Sequence, residues 1–166
     1  MRRFTALIMA GLLAGALALP VGAAPPDRNF VAAPLRGTNE IPAVESDGVG
    51  TAVLRLNKTE TALSFLLIVS NLEDMVQAHI HCGSADVNGP VVAFLFGPAN
   101  PAVTQNGFLA RGVITNGQVI PRPDSAECPG GVADFDDLVA HIRAGNTYVN
   151  VHTTSSPGGE IRAQVG

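Results

Sequence analysis

The sequence contains no tryptophan, one tyrosine and two cysteines, and only 14% of its residues are charged. With 46% hydrophobic residues, so low a charge excludes a disordered chain, which stays open through high net charge and low hydrophobicity. Two cysteines are too few for a disulfide-built miniprotein or a four-thiolate zinc module. Basic side chains are also scarce, ten against fourteen acidic, so there is no positive surface to grip a nucleic-acid backbone, and nucleic acid is not an expected partner. Nucleophile elbow, phosphate loop and dinucleotide fingerprint are all missing. No catalytic residue is assigned, and the chain is not expected to be an enzyme.

Only one long apolar run exists, Thr5 to Leu19, short of the ~20 residues of a membrane span. It follows Arg2 and Arg3 and leads to the small residues Val21-Gly22-Ala23, the pattern of an export signal cleaved after Ala23. A lipid-anchor cysteine is missing beside Leu13 to Ala16, so the processed chain is expected to be secreted or periplasmic with no membrane anchor. Removal of residues 1–23 from 166 leaves 143, one domain's worth, with eight basic against fourteen acidic side chains and a net charge of −6. Residues 24–29 read as a leader and 30–166 as the domain.

In an exported chain the pair Cys82 and Cys128 is expected to form a disulfide worth ~4 kcal/mol in the chain-entropy model. The alternative is a free Cys82 thiolate beside His81 acting as a ligand.

Alternation of apolar and polar residues marks strands at 30–35, 51–57, from Thr61 to Leu72, 77–82, 91–96 and from Gly107. Asn88-Gly89 makes a hairpin turn, and Arg36 to Gly50 reads as a long loop. The period changes once: Phe135, Leu138, Val139 and Ile142 form a helical stripe, with Asp134 as the cap and Gly145 as the stop. His141 lies off that stripe and reads as a surface residue. Two alternating strands close the chain around the turn Pro157–Gly159, with polar rows on their exposed faces. The fold class is therefore all-β and mainly antiparallel, a β-sandwich or barrel-like Greek-key sheet with one short late α-helix.

His79 and His81 are two apart on one strand and share a face, so both imidazoles can reach a common point. His152 shares a face with Tyr148 and Asn150 and would complete a three-nitrogen site, with Glu160 as a fourth ligand or an orienting acceptor. Such donors suit copper or zinc, and also iron or nickel. The competing reading is a metal-free polar layer in which the histidines bond with Glu40, Asn150 and Arg162.

Three blocks, GTNEIPAVESDGVGTA, AHIHCGSADVNGPVVAFL and IRAGNTYVNVHTTSSPGGEIRAQV, together resemble the CHRD domain, first described in chordin. The resemblance spans roughly residues 28 to 166. It implies an extracellular β-sandwich-like module acting in binding or structure. It does not itself assign roles to Asn39, Glu40, Pro42, Tyr148, Asn150, Gly159 or Arg162, which stand at its motif positions. Growth-factor antagonism is not implied, because the cysteine-rich modules that accompany the domain in chordin are missing here. The His-x-His with a nearby cysteine is also distantly similar to copper-zinc superoxide dismutase, but that enzyme's downstream histidines and bridging pattern are missing.

Overall fold

The computed structural model describes residues 27–166. The expected export signal, residues 1–23, and the beginning of the expected leader lie outside the described residues. Eight strands form a single sheet: β1 (Asn29–Arg36), β2 (Val49–Leu56), β3 (Leu63–Ser70), β4 (Met75–Cys82), β5 (Val91–Phe96), β6 (Gly107–Ile114), β7 (Thr147–Thr153) and β8 (Ile161–Gln164). Their order across the sheet is β5-β4-β7-β8-β1-β2-β3-β6, and every pairing is antiparallel. The two edge strands, β5 and β6, approach within 8 Å at their Cα atoms, so the sheet curls nearly into a closed barrel. Of the two architectures open from the sequence, the barrel is the one formed.

Alternation decides what each strand contributes to the interior. Ala52, Leu54 and Leu56 of β2, Leu63 and Leu67 of β3, Ala78 and Ile80 of β4, and Val149 and Val151 of β7 fill the core and are almost wholly buried. Each leucine, isoleucine or valine among them contributes ~1.5–3 kcal/mol of burial. The helix α1 (Phe135–Arg143) adds Phe135, Leu138, Val139 and Ile142 to the same core. Asp134 caps it, its carboxylate accepting from the amides of Asp136 and Asp137, and Gly145 follows its end at φ +69°. Arg143, in the last turn, pairs at 2.7 Å with Glu60 in the β2–β3 turn.

Two expectations are corrected here. The polar rows of β7 and β8 are not exposed: Tyr148, Asn150, His152 and Arg162 are all buried. The loop 83–90 folds over them, with Arg162 donating to the carbonyls of Ser84, Ala85 and Val87 and to Asn88 Oδ1. Nor is His141 a surface residue. It is half-buried, its Nδ1 3.6 Å from Cys82 Sγ and its Nε2 2.8 Å from the carbonyl of Gly131. Cys82 and Cys128 lie at disulfide distance, Sγ to Sγ 1.98 Å, on the core side of β4.

Candidate metal centre

Strands β4, β7 and β8 lie side by side, and their registers build the site. His79 is opposite Asn150, which is opposite Arg162; one step along, His81 is opposite Tyr148, which is opposite Gln164; one step the other way, Gln77 is opposite His152. His152 is thus the diagonal neighbour of His79, a separation that long side chains span. The rings of His79 and His152 have centroids 4.8 Å apart, and those of His79 and His81 5.5 Å. One nitrogen from each of the three imidazoles falls within 4.8 Å of the others, and all three residues are buried.

Two backbone carbonyls set the proton positions. His81 Nδ1 lies 2.8 Å from the carbonyl of Gly89, and His152 Nδ1 lies 2.9 Å from that of Pro157. A carbonyl only accepts, so both Nδ1 atoms donate, and the Nε2 atom of each neutral ring is a bare lone pair. His152 Nε2 then accepts from His79 Nδ1 at 3.1 Å, which leaves His79 Nε2 bare as well. His79 Nε2 and His81 Nε2 are both buried without a hydrogen-bond partner. His152 Nε2 also lies 3.0 Å from Asn150 Oδ1, an acceptor facing an acceptor unless a cation or a turned amide intervenes.

Burial is the main cause of the electrostatics. It pushes the His79 imidazolium down to about 3, helped by repulsion from His152 and His81. His81 falls to about 4, again mainly by burial, with the Gly89 carbonyl pulling the other way. His152 is also lowered by burial, opposed by the Pro157 carbonyl. All three rings are therefore neutral near pH 7, the form that ligates a metal. Toward edge strand β5 the ring of Phe94, 41% exposed, stands edge-on over His79 at 4.4 Å.

Second partners fix the rings. Tyr148 stacks on His81, ring centroids 4.6 Å apart and planes tilted by 11°, and its hydroxyl reaches Gly89, whose carbonyl His81 also uses. On the other face of the Tyr148 ring sits the Arg162 guanidinium, 3.4 Å from the centroid.

The four ligands expected from sequence do not all meet. Among the described residues the mutual group is His79, His81 and His152 without a carboxylate. Glu160 accepts from the hydroxyls of Ser46 at 2.7 Å and Thr153 at 2.6 Å, which ties down the loop before β2. Glu40 is the carboxyl of the buried layer. Its Oε1 is enclosed without a partner, and burial raises it to about 7 against the pull of Arg162. Both Glu40 Oε1 and Asn150 Nδ2 press on Gly159, where an added Cβ would lie 2.6 and 2.8 Å from them. Tyr148 and Gly89 enter the site unassigned by sequence reasoning; the alternation of β7 places Tyr148 on the histidine face, which was the available signal.

The family model described as CHRD domain matches residues 31–165. No curated protein and no solved structure matches the chain.

Proposed function

We propose that this chain, which belongs to the CHRD domain family, is an extracytoplasmic module that holds a transition-metal ion on His79, His81 and His152. Family membership supports a binding or structural module. The observation behind the metal is the pair of buried, unpartnered Nε2 atoms on His79 and His81 beside the lone pair of His152. An orphaned buried acceptor costs ~1–3 kcal/mol, and an ion would relieve several at once. Carbonyls at the Nδ1 atoms of His81 and His152 orient those rings as the outer partners of metal ligands do. Metal–nitrogen bonds near 2.05 Å space ligand nitrogens by about 3.3 Å, and one nitrogen from each ring already lies within 4.8 Å of the others. The widest pair must draw in by side-chain rotation.

Location outside the cytoplasm rests on the Cys82–Cys128 pair, the amino-terminal pattern and the family. A second reading, a metal-free polar layer, is favoured by Arg162, whose four oxygen partners are all supplied by the protein. Elemental mass spectrometry of the protein purified from the exported compartment separates the two. Near-stoichiometric metal, lost in the His79→Ala, His81→Ala double variant and retained in Glu160→Gln, supports the centre. Metal-free protein that also fails to bind added ions leaves only the polar layer.

A further inference from the structure

Resting on the metal reading above, we propose that the centre selects a monovalent ion, copper(I), over divalent zinc or copper. Three neutral imidazoles supply the ligand set, and no carboxylate oxygen joins them among the described residues. A dication placed there keeps both its charges. The cost of taking an ion out of water grows with the square of its charge, so a dication incurs about four times the penalty of a monocation at equal radius.

The surroundings add to that difference. A positive charge stands close by: Arg162 lies against the outer face of the Tyr148 ring whose inner face stacks on His81. Its guanidinium has no carboxylate within salt-bridge distance among the described residues, where the single such pair is Arg143 with Glu60. Repulsion from Arg162 is twice as strong for a dication as for a monocation. Glu160 is engaged by Ser46 and Thr153, and burial disfavours the charged form of Glu40, the carboxyl of the same buried layer.

Coordination number points the same way. Zinc favours four ligands, the fourth commonly water or an anion in an open site. This centre is closed by Phe94 on one side and by loop 83–90 on the other, with His79, His81 and His152 all buried. Copper(I), with a filled d shell, is content with three nitrogens in a trigonal arrangement and needs no anion. Asn150 Oδ1, 3.0 Å from His152 Nε2, is a neutral oxygen on hand as a weak additional donor.

The test is a competition titration of the chelator-stripped full chain. Copper(I) is measured anaerobically against bathocuproine disulfonate, and zinc(II) and copper(II) are measured in air against chromophoric chelators. Silver(I) serves as a redox-inert monovalent probe. Copper(I) bound at least 100-fold more tightly than zinc(II), with silver(I) also bound, is the expected result. Zinc(II) or copper(II) bound as tightly as copper(I) overturns the selectivity while the metal centre stands. Failure of every ion to bind overturns both. The wild-type comparison needs no variant, and His152→Gln, checked for folding by circular dichroism, should lose copper(I) affinity at least 30-fold.

Discussion

The guanidinium of Arg162 lies 3.4 Å from the ring centre of Tyr148 while four hydrogen bonds hold it to loop 83–90. One side chain therefore fixes both the aromatic ring that backs His81 and the loop that roofs it. Removing a buried arginine that makes four hydrogen bonds leaves several acceptors unsatisfied and typically costs about 3–5 kcal/mol. Arg162→Met should lower the melting temperature by ~10 °C or more. Arg162→Lys should recover only a minor part of the loss, since an ammonium cannot stack flat on Tyr148 and span the loop carbonyls together. Differential scanning calorimetry measures both, and a lysine variant as stable as wild type would show that charge alone matters.

Acid should destabilise the metal-free protein through the histidines. The folded-state values of His79 and His81, about 3 and about 4, lie below the ordinary 6.5. Their contribution is complete above pH 6.5 and is lost as pH falls toward those values, by about 1.4 kcal/mol per pH unit for each ring. Urea midpoints measured between pH 7 and pH 5 should fall steeply in wild type and less steeply in His79→Gln. Parallel slopes would mean that His79 takes up its proton without unfolding the site.

Glu40 should act with the opposite sign. Its folded-state value is raised to about 7 from 4.5, so its contribution is complete below pH 4.5 and is lost as pH rises through 7. Glu40→Gln is accordingly expected to be more stable than wild type at pH 8, by ~2 kcal/mol, and not more stable at pH 4.5. Chemical denaturation at the two pH values checks the crossover.

Gly159 has φ +126° and faces Glu40 Oε1 and Asn150 Nδ2 at distances that no Cβ tolerates. Gly159→Ala should cost about 2–4 kcal/mol, part from the backbone conformation and part from the clash. Shortening one partner, Glu40→Ala, should recover only its share of the clash, since Asn150 Nδ2 remains. A double-mutant cycle with no coupling would show that the backbone accounts for the whole effect.

The Cys82–Cys128 link closes 46 residues, and its removal by paired serine substitution should cost ~4 kcal/mol in the chain-entropy model. Equal denaturation midpoints with and without a dithiol reductant, in protein shown to be reduced by thiol titration, would contradict this.

Local patterns carry most of the fold in readable form. The 3.6-residue stripe from Phe135 to Ile142 with Asp134 before it is the helix that forms, and the alternation of Ala52, Leu54 and Leu56 gives the buried face of β2. The same alternation correctly groups His79 with His81, and Tyr148, Asn150 and His152 with one another. What alternation cannot reveal is whether a face meets water. The roof over this one is held by Arg162 bonds spanning 74 to 78 residues of sequence, a tertiary event without a local trace. The choice between carboxylates has the same character. Glu160 is adjacent to the histidine strands in sequence but turns to Ser46, whereas Glu40 arrives from a distant loop. His141 was legible as off-stripe, and only the position of the disulfide shows that its ring is half covered.

The last strand in chain order, β8, lies between β7 and β1, in the middle of the sheet. Strand β1 therefore cannot join the half of the sheet that holds the histidines until residues 161–164 have been made, and nearly the whole sequence separates the strands that then meet. Such distant pairing makes folding slow and leaves open sheet edges exposed until it is complete. A chain cut short before Ile161 would lose the keystone of its barrel, with two unpaired half-sheets ready to aggregate. The histidine strands β4 and β7 pair without β8, but loop 83–90 is pinned over them only once Arg162 has been made.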